Sequence, residues 1–541
     1  MATIEEIRQE LEMARGEYEE VKKKLEEWEV GKYKGEKLNE LEDELYKGEF
    51  RNEEQKKRCK ERALRDFSGG KEGRGIKRPV EDDYTYAAAE KKAKLVEDMK
   101  VPLSSFCKSC KWEEVVPVIF NHRPHDADIP ITLYHQVFAH FQEYCTNIHI
   151  SMDDCDLVIK LITQMTKAFK RENDRVAEFL KWTSEYFAHP VTKLPLPQIG
   201  QEADIGACHS VGNHSFCLLI GEAKNEIGEG HGCSYIQACA SYAKQIGANT
   251  NNTIHKGLNP SFILYLSGPY LGIADAVFGK DFTIDPLTHV LPFLYLKNDP
   301  EMMVSITRTF KALKTVLGEL KNYYSEFQVT QHIDNLSLQR PASFPYPSSF
   351  KMDDNRDIKF IYKNQLCDGK LVFRVQGQNE EFKDKWMVVK FTQKYCKEAH
   401  KFCEKKEIAP ELFALNDLSG SWKMVVMEYL SDDEYINLYN LLKEKKDNQE
   451  DLQQKTINVA KLLHSGDYVH GDLRASNIMI STDMKHIKII DFDWSGKVDH
   501  AVYPHFVSIC LPWHPDVDCE KPIAKEHDLH LLKKSIESNP F

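Results

Sequence analysis

The sequence predicts a multidomain α+β protein, and three stretches carry the prediction. The first 66 residues are dominated by Glu, Lys and Arg, with apolar residues at heptad spacing. Near the middle, the apolar run FCLLI (216–220) leads into Glu222-Ala223-Lys224. Toward the end, YVHGDLRASNIMISTDMKHIKIIDFDWSG (468–496) sets His470, Asp472, Asn477 and Asp491 at short intervals around apolar runs.

A chain of 541 residues has room for about three or four domains. Apolar residues make up 42%, enough for real cores, and the net charge of −12 excludes a wholly basic nucleic-acid coat. Any nucleic-acid site is therefore a local patch. The acidic start MATIEEIRQE has no apolar core, so no signal peptide is expected, and no run of eighteen apolar residues offers a membrane span. The 14 Cys lack a framework spacing and read as reduced thiols. A soluble protein of the nucleus or cytoplasm is expected.

In residues 1–66, Ile4, Ile7, Leu11, Ala14, Tyr18, Val21, Leu25 and Trp28 alternate steps of three and four. That seam predicts a coiled coil or helical hairpin able to self-associate, or equally a single helix packed on its own protein. Residues 67–101 shift to Gly, Lys and acidic residues, a linker. Its clusters Lys77-Arg78 and Lys91-Lys92-Ala93-Lys94 resemble a bipartite nuclear-import signal, against the plainer reading of a solvated charged segment. Cys107 and Cys110 form a lone pair without the second pair a zinc site needs. Residues 131–188 read as two or three amphipathic helices with Leu157, Ile159, Leu161 and Ile162 on core faces.

On a strand, Glu222 and Lys224 share a face while Ala223 points away. A turn at Gly212-Asn213 would bring the segment bearing Asp204 alongside. Two carboxylates there can bind a hard cation such as Mg2+, and a lysine can orient or deprotonate a nucleophile. Asp204 with Glu222-x-Lys224 resembles the PD-(D/E)xK nuclease superfamily, with Ala203 standing where that family has proline. The resemblance implies an α/β/α restriction-endonuclease-like core, with its preceding helices, over 102–335. It also implies metal at Asp204 and Glu222, catalysis by those two with Lys224, and DNA as substrate. Glu172 would be the family's added acid and Gln237 its helix glutamine. The plainer alternative is a surface strand edge with a salt-bridging lysine.

Further on, WMVVKF (386–391) places Lys390 on an apolar strand, where its charge needs a partner. Glu398, Glu404 and Glu407 on the following segment are candidates. The run VVMEYL (425–430), with Glu428, reads as another buried strand. HGDLRASN and IIDFD resemble the C-terminal lobe of the protein-kinase superfamily. The resemblance implies a minimal bilobal protein-kinase-like domain over 350–541 that uses ATP and Mg2+. Asp472 would be the catalytic base and Asn477 and Asp491 the metal ligands. Lys390, paired with Glu398, would hold the phosphates, and Glu428 would lie in the adenine-contacting hinge. Asp528 resembles the helix aspartate that supports the catalytic loop. Gly471 replaces the family's usual Arg, Asp493 replaces its Gly, and the hairpin before Lys390 lacks GxGxxG.

A charged helix, a nuclease-like middle and a kinase-like end together resemble the Crinkler-type proteins. The expectation is an ATP-dependent phosphotransferase acting on a protein or small-molecule acceptor, fused to a nuclease-like domain. It would work in the nucleus, or in a host nucleus if secreted. Two rival readings are a Mg-dependent DNA nuclease regulated by the kinase-like lobe, and a pseudoenzyme acting as a nuclear binding protein.

Overall fold

The computed structural model describes residues 119–120 and 129–537, except 188–189, 197–200, 213, 229–232, 249–257, 279–281, 295–298, 327–343, 368, 384, 445–448 and 509. The heptad seam, the basic clusters, Cys107, Cys110, Asn213 and Asp368 lie outside the described residues. The chain divides into two compact units, Met1–Tyr84 and Thr85–Phe541, and every described residue belongs to the second.

After the short strand β1 (Ile119–Phe120) come helices α1 (Ile131–Tyr134), α2 (Gln136–Asn147), α3 (Met152–Met165) and α4 (Glu172–Tyr186). Ser151 caps α3 and Asp154 returns the bond to the Ser151 N–H, a reciprocal capping box. The buried face of α3 runs Val158, Leu161, Ile162 and Met165. Ile159 is 37% exposed, because it falls off that stripe of helical period, contrary to its expected place in the core. Strands β2 (Thr192–Leu196), β3 (Gln201–Val211) and β4 (His214–Lys224) then form an antiparallel set. Helix α5 (Ser234–Ala248) crosses over to β5 (Ser261–Ser267), which pairs parallel with β4. Strands β6 (Tyr270–Phe278), β7 (Phe282–Pro286) and β8 (Leu291–Pro292) complete an eight-stranded sheet of order β1-β7-β6-β5-β4-β3-β2, with β8 on β6. The long helix α6 (Pro300–Glu326) packs beside α2 and α3 through Ile306, Phe310, Leu313, Leu317, Leu320 and Tyr324. Each such fully buried side chain contributes roughly 1.5–3 kcal/mol.

The second half begins with β9 (Ser349–Lys351), β10 (Asp357–Gln365), β11 (Val372–Gly377) and β12 (Trp386–Thr392). Helix α7 (Lys397–Lys405) precedes β13 (Leu412–Asp417) and β14 (Lys423–Glu428). These strands form one antiparallel sheet of order β13-β14-β12-β11-β10-β9. A mainly helical lobe follows: β15 (Tyr435–Asn437), α8 (Leu438–Glu444), α9 (Gln449–His464), β16 (Tyr468–Val469), β17 (Ile478–Ser481), β18 (Ile487–Ile489), β19 (Gly496–Lys497) and α10 (Lys525–Glu537). One apolar core runs from the sheet of β9–β14 into this lobe, through Val388, Met427, Leu473 and Phe492.

The two halves are also fused. A single core holds Phe138, Phe262 and Phe310 together with Phe360, Phe373 and Phe413. The β13–β14 turn docks on the first helices, where the Gly420 N–H donates to Glu143 (2.8 Å) and Trp422 Nε1 donates to the Thr132 hydroxyl (3.1 Å). Among the described residues no helix is long and apolar enough to cross a membrane.

Candidate active sites

The loop after β16 is held by one buried carboxylate. Asp528, on α10, accepts the N–H groups of His470 (2.8 Å) and Gly471 (2.8 Å) and a bond from His464 Nε2 (3.0 Å). Gly471 sits at φ +84, and a Cβ there would lie 2.8 Å from Ile523 and 3.0 Å from Trp494. The loop conformation therefore requires glycine where the sequence pattern leads one to expect arginine. His470 donates from Nε2 to the Ile490 carbonyl (3.0 Å), linking the loop to the end of β18. Asn477 Nδ2 donates to the Asp472 carbonyl (2.8 Å) and to Oδ2 (2.9 Å), which fixes the Asp472 side chain. Arg474 Nε lies 3.0 Å from Asp472 Oδ1. Burial raises the Asp472 carboxyl above its usual range, with Arg474 and His470 opposing.

Asp491 follows β18 at φ +75, a left-handed conformation that costs a non-glycine residue about 1–3 kcal/mol and marks functional turns. Three lysine contacts converge on this turn. Lys390 Nζ bonds both Asp491 Oδ1 and Asp493 Oδ1, the latter at 2.6 Å. Lys370, at the start of the β11 side of the hairpin, lies 3.8 Å from Asp491 Oδ2. Burial alone would raise the Asp491 carboxyl, but Lys390 and Lys370 hold it at about 2. Burial and the Asp491 charge lift Asp493 to about 6. Lys390 is buried, yet the two carboxylates keep its pKa above the usual value.

Glu398 is not the partner of Lys390. Its Oε2 accepts from the thiol of Cys396 (3.7 Å) near the start of α7, and Glu404 bonds Lys401 and the Leu412 N–H (2.9 Å). The orientation of α7 explains this. His400 stacks on Phe492 at 4.7 Å and 10°, and the Cys396 N–H donates to the Phe492 carbonyl (3.1 Å). Glu428 ends β14 and pairs with Lys488 (3.0 Å) while accepting the Glu411 N–H (3.1 Å). A cleft of about 620 Å³ opens beside it, lined by Arg374, Trp386, Tyr429 and the acidic run 432–434.

His400 also gives this lobe a pH dependence. Its Nε2 donates to the Pro410 carbonyl (2.9 Å), so Nδ1 accepts from the Tyr395 hydroxyl (2.6 Å). Burial lowers its pKa from 6.5 to about 4. The unfolded chain takes a proton near 6.5 and the folded chain only near 4, so stability falls as pH drops through that window. Below it the loss reaches about 3 kcal/mol. Urea unfolding across pH 4–7 should show that acid-side loss in the natural chain and a clearly smaller one in His400→Gln.

The middle sheet gathers a second set. Asp204 on β3 accepts the Ala223 N–H from β4 (3.1 Å), and Glu222 accepts a bond from Ser241 on α5 (2.6 Å). Burial and the neighbouring Asp204 push Glu222 up to about 8. Lys224 pairs with Glu172 at the start of α4 (3.0 Å). One turn before Ser241, Gln237 is buried with Oε1 unpaired among the described residues. Burial lowers Lys244 to about 8 on the same helix, with Glu222 opposing. No three His, Cys, Asp or Glu side chains converge on one point among the described residues.

The expected residues thus fall into two clusters: Lys390, Asp472, Asn477 and Asp491 in one, and Asp204, Glu222 and Lys224 in the other. Glu398 and Glu428 bond elsewhere. Sequence reasoning missed Arg474, Lys370, His400 and Thr392, whose hydroxyl donates to Asp493 Oδ2 (3.0 Å). Only Arg474 had a local signal, two residues beyond Asp472 in the same loop.

No curated protein matches the chain. Among solved structures, the Cydia pomonella granulovirus kinase PK-1 is 16% identical, with 32% of this chain and 63% of that one covered at a TM-score of 0.25. Vaccinia related kinase 3 is 14% identical, with 36% and 68% covered at a TM-score of 0.25. This chain spans less than two thirds of the granulovirus kinase. The protein kinase domain family matches residues 387–512, from β12 through the Asp472 loop and the Asp491 turn, so this part of the chain carries a protein kinase domain.

Proposed function

We propose that the kinase-like lobes bind Mg·ATP and transfer its γ-phosphoryl group to a hydroxyl of a protein or small molecule. The observation that carries the reading is the convergence of Lys390, Asp472, Asn477 and Asp491 on a loop pinned by Asp528. The donor set fits both metal and nucleotide. Lys390 and Lys370 hold the Asp491 carboxyl ionised, so it can serve as an anionic metal ligand at neutral pH. Asp491 and Asn477 would hold magnesium, and Lys390 would hold the phosphates. The bound nucleotide supplies the phosphoryl group, and the metal neutralises its charge. Asp472, fixed by Asn477, accepts the proton of the acceptor hydroxyl. Arg474 beside it can offset negative charge on the incoming phosphoryl oxygens. Calorimetric titration of Mg·ATP into the full chain tests the first half of this reading, and no saturable binding would sink it.

A second reading concerns the middle sheet. It is supported by the order of one helix, three antiparallel strands, a helix and a parallel strand, with Asp204 and Glu222 side by side on the sheet. A divalent cation between them would relieve the repulsion that lifts Glu222. Glu222→Gln should remove metal-dependent DNA cleavage while leaving thermal stability unchanged or higher. Metal affinity should fall at least roughly tenfold to a hundredfold, the range seen for groups one step removed from a metal. Cleavage that persists in Glu222→Gln would end this reading. The pairing of two such modules supports a Crinkler-type role. Nuclear action and coiled-coil self-association rest on the basic clusters and heptads of the first 101 residues.

A further inference from the structure

Lys390 lies on β12 without a glutamate from α7, yet it is buried and charged. Its bonds go to Asp491 and Asp493. Of these, Asp491 is the residue a nucleotide-bound metal would claim in the proposed reading. Its bond to Lys390 therefore weakens once metal and nucleotide bind. Asp493 differs. Its Oδ1 bonds Lys390 (2.6 Å) and its Oδ2 accepts from the Thr392 hydroxyl (3.0 Å), so both oxygens are engaged by β12. Lys390 and Thr392 are two apart on the strand and share a face, which makes them a fork for one carboxylate. Two residues before Asp493, Asp491 sits at φ +75 in the turn that follows β18. A glycine at 493 would leave Lys390 with no lasting partner.

Resting on the nucleotide reading above, we propose that Asp493 is the positioning residue that anchors Lys390 for phosphate binding, in place of a glutamate on α7. The anchor then travels with the Asp491 turn, and Lys390 is set for the phosphates whatever the position of α7. Thr392 holds the anchor in register, and His400 and Phe492 join α7 to the turn without taking part in the ion pair.

The test uses the full chain and measures ATP affinity with and without magnesium, by displacement of a fluorescent nucleotide. Asp493→Asn should weaken Mg·ATP binding about tenfold, the size of one charge-assisted hydrogen bond, and binding without magnesium by less, because Asp491 still holds Lys390 there. Asp493→Glu should restore part of the loss. Thr392→Val should weaken binding less, and Asp493→Asn/Thr392→Val should bind no worse than Asp493→Asn alone, because the two act through one contact. Thr392→Val is a mild change near the surface and keeps the test open if Asp493→Asn folds poorly. A loss in Asp493→Asn that excess magnesium restores would make Asp493 a metal ligand and overturn the inference. A loss in Glu398→Gln with none in Asp493→Asn would also overturn it, placing the anchor on α7. Absence of ATP binding by the natural chain would instead defeat the nucleotide reading on which the inference rests.

Discussion

Asp528→Ala is expected to destabilise the kinase-like lobes by about 3–5 kcal/mol and to abolish phosphoryl transfer. The Asp528 carboxylate is fully buried and accepts from three donors, two of them backbone N–H groups of the loop that carries Asp472. Alanine leaves those donors buried without an acceptor, at about 1–3 kcal/mol each before the loop relaxes. Relaxation would move Asp472 away from Asn477 and Arg474, so stability and turnover should fall together. Asp528→Asn keeps one acceptor oxygen and should fall between. Urea unfolding measures the first effect, and ADP formation from ATP in the presence of an acceptor measures the second. Stability equal to the natural chain would mean that the loop is held by its apolar contacts instead.

The second large effect separates chemistry from binding. Asp472→Asn keeps the shape and the contact with Asn477 but cannot take a proton at neutral pH. Transfer should drop by about 10²–10⁴-fold, the usual yield of a positioned general base, while Mg·ATP affinity stays within about twofold. The change also removes a carboxylate that burial disfavours, so no loss of stability should accompany it. Rapid-quench turnover on Mg·ATP, beside nucleotide titration, reads both quantities. A parallel loss of affinity would mean that Asp472 acts on bound nucleotide in the ground state.

Much of both clusters was legible because its geometry is local. Asp472 and Asn477 lie five residues apart in one loop, and Asn477 bonds the Asp472 backbone and side chain directly. Glu222 and Lys224 share a strand face by the period of two, and antiparallel pairing of β3 with β4 brings Asp204 to the same place. Long-range partners were not legible. Lys390 meets Asp491 and Asp493 across separations of 101 and 103 residues, and Trp422 meets Thr132 across 290. Glu398 was the reasonable local choice, but a helix is aimed by what it packs against, and His400 on Phe492 turns α7 so that Glu398 bonds Cys396. Gly471 stands where the resembled family has Arg. At φ +84, against Trp494 and Ile523, it is what lets the loop reach Asp528. Helix α6 escaped the sequence expectations, although Ile306, Phe310, Leu313, Leu317 and Leu320 repeat at helical spacing.

The most direct test is transfer of labelled γ-phosphate from Mg·ATP by the full chain, with Asp472→Asn beside it and a basic protein and the chain itself as acceptors. Label is expected on one of these acceptors with the natural chain and almost none with Asp472→Asn. Saturable ATP binding with no transfer by either protein would contradict this, leaving these lobes a nucleotide-binding regulator of the rest of the chain.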